Sequence, residues 1–319
     1  MRLRKTLKSS TRRWLAPLFI AGVTGLLLAA CAPNDKVNNN AAAEINETPV
    51  PAGDASLLQG YISQTRVVGA TVCYDMYDAT IPGFSNTCDF GEASATSSAN
   101  GLYSLTLDGF QQTQNYQLLA TGGTAKSVTS TAETVGVMLA PRGARNITPL
   151  TTMVTLDSDL AAKIGQTLTF NGTNYSDSYD VDIAKSGGTY GEHLALAKAV
   201  EVYMYILGRE NTAFAASSGL TLNTTTQYIA ALQDLASQLD LLTSNQIFVT
   251  ANVATAVRNA INSQFGGAPP ANLLDHVEGA VTAVMNTVST GTGKKQTEES
   301  IISACSSAFA STDLVATWL

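Results

Sequence analysis

Histidine is nearly absent from this 319-residue chain, which has only His193 and His276, more than eighty residues apart. Neither sits in an H-E-x-x-H frame, so the pattern that places two histidines on one helical face to hold a hydrolytic zinc is missing. No G-x-S-x-G elbow occurs, which removes the commonest serine-hydrolase signature. Gly293-Lys294-Lys295 has Val288 where a phosphate-binding loop requires glycine, so those residues read as a turn. Long apolar runs are also lacking: only Leu15 to Ala30 forms one, and nothing after it approaches membrane-spanning length. Cationic side chains are missing altogether from residues 67–125, an interval that holds Asp75, Asp78, Asp89, Glu92 and Asp108.

What is present begins at the N-terminus. Residues 1–13 carry Arg2, Arg4, Lys5, Lys8, Arg12 and Arg13 without a single acid, and an apolar run follows. A basic start and an apolar middle build an export signal. The run ends too early for a comfortable membrane span of about 20 residues.

Its last residues, Leu28-Ala29-Ala30-Cys31, resemble the lipobox of bacterial lipoproteins. That resemblance implies a signal peptide over residues 1–30 that is cut away, and acylation of Cys31 with chains of the palmitate class. At about 0.8 kcal/mol per buried methylene, several such chains hold a water-soluble body on a membrane. Ala32 after the cysteine, in place of an aspartate, implies sorting to the outer membrane. Cleavage leaves 289 residues with twelve basic against 25 acidic side chains, a net charge of −13. A body that acidic is a poor partner for nucleic acid or for anionic lipid.

The composition then divides the mature chain. Residues 31–55, with Asn38-Asn39-Asn40, Ala41-Ala42-Ala43 and Pro49-Val50-Pro51, lack apolar periodicity and read as the lipidated cysteine followed by a flexible tether. Residues 56–147 carry short alternating runs. Ala70, Val72 and Tyr74 alternate with Thr71, Cys73 and Asp75, predicting a strand with one buried face. Leu102 to Leu107 alternates likewise after the turn pair Asn100-Gly101, and Tyr116 to Thr121 and Val135 to Ala140 supply further strands. Short, evenly spaced strands predict a small antiparallel β-sandwich.

Gly60-Tyr61-Ile62, Val68-Gly69-Ala70-Thr71-Val72 and Asn100-Gly101-Leu102-Tyr103-Ser104-Leu105 resemble the carboxypeptidase-regulatory, transthyretin-like sandwich. The resemblance covers roughly 90 residues and implies a fold more than a function. Cys73 through Glu92 resembles a degenerate form of the calcium-holding loop of adhesin B-type repeats, with Asp75, Asp78, Asp89 and Glu92 at its acid positions. It implies a Ca²⁺ site; the alternative is a solvated acidic loop. Calcium takes six to eight oxygens at about 2.3–2.6 Å. In an oxidising compartment the close pair Cys73 and Cys88 predicts a disulfide that would draw the ends of this loop together, leaving Cys305 over.

Asn146-Ile147-Thr148-Pro149-Leu150-Thr151-Thr152 resembles a junction that follows such sandwiches in bacterial surface proteins. Thr148 can cap a helix and Pro149 can open it, so the chain turns helical at 148. From there to 319 the apolar period is 3.6. Leu196, Val200, Tyr203 and Leu207 share a face, as do Tyr228, Leu232, Leu235, Leu239 and Leu242, and then Val253, Val257 and Ile261. Leu273, Val277, Val281, Val284 and Val288 make the next stripe, and Ile302, Cys305 and Phe309 the last. The fold class predicted is thus α+β, the sandwich followed by an all-α helical bundle. Residues 166–190 read as a polar loop or small hairpin, in which Tyr175, Tyr179 and Tyr190 with Asp177, Asp180 and Asp182 could meet a sugar. His193 and His276 read as surface or capping histidines, and Cys305 as a buried, unreactive thiol.

The function expected is a non-enzymatic interaction module of the bacterial envelope, membrane-anchored through its acyl chains, presenting the helical part to a protein or polysaccharide partner. The alternative is an envelope hydrolase with an unrecognised site in the helical part, around Glu192 and His193 or Asp275 and His276.

Overall fold

The structure, a computed structural model, describes residues 56–312 apart from 64–65, 80–82, 127, 130, 166–167, 171–172, 176–190, 210–221, 223, 268, 271 and 290–297. The expectations for Cys31, the signal and the tether lie outside the described residues, as does most of the tyrosine-rich loop. Several antiparallel sheets come first and seven helices follow among the described residues, so the chain is mixed α and β.

The strands are β1 (Leu57–Tyr61), β2 (Thr71–Met76), β3 (Ser94–Thr96), β4 (Leu102–Thr106), β5 (Tyr116–Thr121), β6 (Thr124–Lys126), β7 (Ala132–Thr134) and β8 (Met138–Ala140). Four of them make an antiparallel sheet in the order β3-β2-β5-β8, while β1 pairs with β4 and β6 with β7. In β4 the alternation is as the sequence predicts: Tyr103 and Leu105 are buried and their neighbours face out. Gly60 is required where β1 passes the 141–147 segment. A Cβ there would lie 1.6 Å from the Arg145 carbonyl oxygen, which also accepts the Tyr103 hydroxyl at 2.5 Å.

The expectation of one buried face fails for β2. Val72 and Tyr74 are buried, but so are Cys73 and Asp75 on the opposite side. Cys73 packs with Leu119, Val137 and Leu139, and Leu156, Tyr228 and Ile229 from later helices lie over them. Helices that return to cover a sheet turn half-exposed strands into fully buried ones, a long-range effect that local alternation does not carry. The strand expected over 135–140 shortens to β8 for a related reason. Gly136 sits under the ring of Tyr228, whose atoms would be 2.6 Å from a Cβ.

The helices are α1 (Pro149–Leu156), α2 (Leu160–Ile164), α3 (Gly191–Arg209), α4 (Thr225–Asp240), α5 (Thr250–Gln264), α6 (Leu273–Ser289) and α7 (Glu298–Ala310). Between α2 and α3, β9 (Leu168–Phe170) and β10 (Thr173–Tyr175) form an antiparallel hairpin. Thr148 caps α1 as expected: its Oγ1 accepts from Thr151 N at 3.0 Å, and its own N–H donates to Thr151 Oγ1 at 2.7 Å.

The same threonines do more. Leu139 in the edge strand β8 points its N–H and C=O away from β5. Thr152 Oγ1 accepts that N–H at 3.0 Å, and Thr151 Oγ1 donates to that carbonyl at 2.9 Å. Two side chains of α1 thus stand where a fifth strand would pair, closing an edge that buried backbone groups could not leave open.

Beyond α1, the helix α3 is buried from His193 to Leu207 on every side, with α1, α5 and α6 packed on it. The predicted stripe Leu196, Val200, Tyr203 and Leu207 is part of a wholly enclosed helix. Lys198 and Glu201 lie inside it as a 2.7 Å ion pair, each close to fully buried. The stripes of α4, α5 and α6 face inward as expected, whereas α7 buries Ile301 rather than Ile302 beside Cys305 and Phe309. One continuous cluster of buried residues runs from Ile62 in the β part to Phe309 in the last helix.

Replacing Thr151 and Thr152 together with valine should cost about 2–4 kcal/mol in denaturant unfolding, because two buried backbone groups of Leu139 lose their partners without loss of side-chain volume. Thr155→Val, which removes only a bond from Thr155 to the Thr151 carbonyl in its own helix, should cost under about 0.5 kcal/mol. Equal, small losses for both variants would contradict the role given to the edge contact.

Candidate functional site

The loop that follows β2 is built on its last residues. Cys73 and Cys88 form a disulfide, with Cα atoms 5.6 Å apart and 15 residues of separation. Closing a loop of this length contributes on the order of 3 kcal/mol in the chain-entropy account. The far side of the loop is therefore anchored to the central strand of the sheet.

Asp75 is the charged group at its centre and is 0 % exposed. Its Oδ2 accepts from Gln117 Nε2 at 2.8 Å and from Asn86 N at 3.1 Å, while its Oδ1 accepts from Ser85 Oγ at 3.3 Å. Gln117 comes from the neighbouring strand β5, in register with Asp75. Asn86 holds a left-handed backbone (φ 56°), one of the few residues that accept it readily. The same Gln117 amide reaches Asn86 Oδ1 at 2.9 Å.

Glu92 closes the other end. Its Oε1 accepts from Met76 N at 2.7 Å and its Oε2 from Asp89 N at 2.9 Å, so one carboxylate ties the end of β2 to the exit of the loop. Asp89 is exposed and its Oδ1 accepts from Thr87 Oγ1 at 2.9 Å. Asp78 is half-buried. Burial pushes the Asp75 carboxyl above its ordinary pKa range. The bonds from Gln117, Asn86 and Ser85 pull against this, and the nearby charge of Asp89 adds to it. Burial likewise raises Glu92, opposed by the two backbone amides and reinforced by Asp75 and Asp89. Asp75, Asp89 and Glu92 are thus brought within electrostatic reach of one another. Asp75 Oδ2 and both Glu92 oxygens receive N–H hydrogens, and Asp75 Oδ1 shares the single Ser85 hydroxyl hydrogen with the Thr87 carbonyl, so an ion would have to share oxygens already used by the loop.

Elsewhere the structure decides between the two readings of one histidine, in favour of the capping one. His193 is not on the surface: it is 3 % exposed, its ring lies 4.8 Å from that of Phe248, and its Nε2–H donates to the Ile164 carbonyl at 2.9 Å. It caps the last carbonyl of α2 from inside the core, and burial lowers its pKa. Asp275 pairs with Arg258 at 3.2 Å, and His276 is half-buried. Cys305 is buried close to Lys198 and Glu201, and desolvation pushes its pKa up to about 11, which suppresses the thiolate.

Sequence reasoning missed a second acidic group. Asp157, Asp159 and Asp240 bring one oxygen each within 4.8 Å of one another, and Lys163 Nζ binds Asp240 at both its carboxylate and its backbone carbonyl. The pair Asp157 and Asp159 was visible as local spacing. Asp240 arrives only through the packing of α2 on α4.

Comparison with known proteins finds no matching family, no matching curated protein and no matching solved structure.

The raised carboxyls have a signed consequence. A folded state that holds protons the unfolded chain has released is most stable at low pH, and it loses that contribution as pH rises from about 4 through the raised values. Asp75→Asn should therefore flatten the fall in stability between pH 4 and 7, read as denaturation midpoints against the parent chain. A variant curve parallel to the parent's would contradict the burial of charge at this site.

Proposed function

We propose that the chain is a lipoprotein of the bacterial envelope, held on the outer membrane by acyl chains on Cys31, and that it works as a non-enzymatic interaction module. In this reading the β part is an antiparallel sandwich of the carboxypeptidase-regulatory kind and presents a helical bundle to a protein or polysaccharide partner. The observation that carries it is the Cys73–Cys88 disulfide standing downstream of a basic and apolar N-terminus. Such bonds belong to oxidising compartments, where an exported chain arrives. No helix among the described residues is long and apolar enough to cross a membrane.

The sandwich reading draws support from the way the β1–β4 pair and the four-stranded sheet feed one core, Tyr103 and Leu105 belonging to the same buried cluster as Val72 and Tyr74. Its non-enzymatic part draws support from where the titratable groups of the core are spent: His193 on the end of α2, Lys198 on Glu201. A calcium ion held by Asp75, Asp78, Asp89 and Glu92 belongs to the same proposal as a structural addition to the loop.

Mass spectrometry of the mature N-terminus from the membrane fraction should show Cys31 carrying acyl groups, and Cys31→Ser should leave the protein unlipidated and out of that fraction. An unmodified cysteine on a protein free in solution would overturn the reading. For the ion, millimolar Ca²⁺ should raise the melting temperature of the parent chain and leave that of Glu92→Gln unmoved, since a bound ligand stabilises only the form that holds it. No shift in the parent chain removes calcium and leaves the anchored module standing.

A further inference from the structure

The strongest unexplained surface feature is a pair of exposed phenylalanines. Phe90 is 108 % exposed and Phe110 is 66 % exposed. A single exposed ring is ordinary on a protein surface, but two held on neighbouring turns can act together on one partner.

Both ledges are rigid by construction. Phe110 stands on a turn held by Asp108, whose Oδ1 accepts from Phe110 N at 2.9 Å and from Gln111 N at 2.7 Å. The buried Tyr74 hydroxyl donates to the Gln111 carbonyl at 3.0 Å, pinning that turn to the core. Gln111 then reaches across: its Nε2 donates to the Gly91 carbonyl at 2.9 Å, setting the loop tip that carries Phe90 beside the turn that carries Phe110. The Phe90 tip is itself fastened by Glu92 and by the disulfide at Cys88. Tyr77, also exposed, follows directly at the end of β2 and packs edge-on to Phe84, with ring centroids 5.7 Å apart.

The position of the chain's start decides what these rings face. Leu107 N donates to the Ser56 carbonyl, so the described fold begins three residues from Phe110, at the same end of the sheet. Residues 32–55, which join Cys31 to that point, span at most about 80 Å when fully extended. Because the tether leaves the fold at this end, the rings lie on the side of the body that the anchor draws toward the bilayer, and a shallow contact suffices to orient it. The charges at this end are two acids and one base: Asp89 and Asp108 neighbour the two rings in the chain, and the Arg142 guanidinium stands 6.0 Å from the Tyr116 ring at the start of β5. With its acids in excess such a rim does not draw in anionic headgroups and admits zwitterionic ones.

We infer that Phe90 and Phe110 insert into the headgroup region of the zwitterionic membrane that carries the acyl anchor, fixing the aromatic end of the sheet against the bilayer. The inference rests on the Cys31 reading. It adds an orientation: the end of the sheet that carries Val68, on the far side of β2 and β5, faces away from the lipid.

The test uses the lipidated mature protein, reconstituted in phosphatidylcholine vesicles with lipids brominated near the top of the acyl chains. Trp318 is the only native tryptophan after removal of residues 1–30, so its emission is subtracted from that of Phe90→Trp, Phe110→Trp and Val68→Trp variants. The first two should lose about half of their added emission to the brominated lipid, the depth expected of an interfacial ring. Val68→Trp, 39 % exposed at the opposite end, should lose none. Protein that floats with the vesicles while Phe90→Trp and Phe110→Trp stay unquenched overturns this inference and leaves the anchor intact. Emission that is blue-shifted yet unquenched assigns the rings to a protein partner and also overturns it. Equal quenching at all three positions removes the orientation, and protein that does not float removes the anchor and the inference together.

Discussion

The structure depends on how one residue of an edge strand is satisfied. Leu139 in β8 has β5 on one side, and on the other it offers a buried N–H and C=O that water does not reach. Thr151 and Thr152 take both groups while the Thr151 hydroxyl also completes the capping box of α1 and the Thr152 hydroxyl reaches back to the Thr148 carbonyl. A buried backbone group left unpaired costs more than an ordinary hydrogen bond contributes, so this contact couples the sheet to the first helix far more strongly than its area would suggest. The junction sequence Thr148-Pro149-Leu150-Thr151-Thr152 therefore ends the β part, starts the helical part and fastens one to the other.

From that fastening the remaining helices inherit their places. With α1 fixed against β8, Leu156 and residues of α4 cover Cys73, Leu119 and Leu139, and α3 is enclosed from His193 to Leu207. Enclosure explains the polar groups inside. Lys198 and Glu201 can be buried because they neutralise each other, and His193 because the end of α2 offers it a carbonyl. A buried pair of this kind contributes little net stability, yet breaking it by removing one partner is costly.

Much of this was legible in the residues, and what was not has a common cause. The Thr148 cap, the opening proline, the β4 alternation, the inward stripes of α4, α5 and α6 and the Cys73–Cys88 pairing are local or nearly local patterns, and they appear where the sequence puts them. The second buried face of β2, the shortened β8, the interior position of His193 and the arrival of Asp240 beside Asp157 and Asp159 all require elements distant in sequence to pack. At the acidic loop the residue types were visible and the wiring was not. Nothing in the spacing of Asp75 and Glu92 says that the first would be wholly buried under Gln117, or that the second would bind the amides of Met76 and Asp89.

The loop and the anchor fit together in the function proposed for the chain. A disulfide, the buried Asp75 carboxylate and the half-buried Glu92 carboxylate make a stiff end to the sheet, and a stiff end is what an aromatic ledge needs if it is to hold a body against a surface. All of it presumes that sheet and helices move as one. Native-state hydrogen exchange at the Leu139 amide tests that most directly. Its protection should equal that of Val200 in the middle of α3, both opening only with global unfolding. Exchange at Leu139 that runs orders of magnitude faster than at Val200 would mean that the threonine contact opens by itself and that the two parts are not one cooperative body.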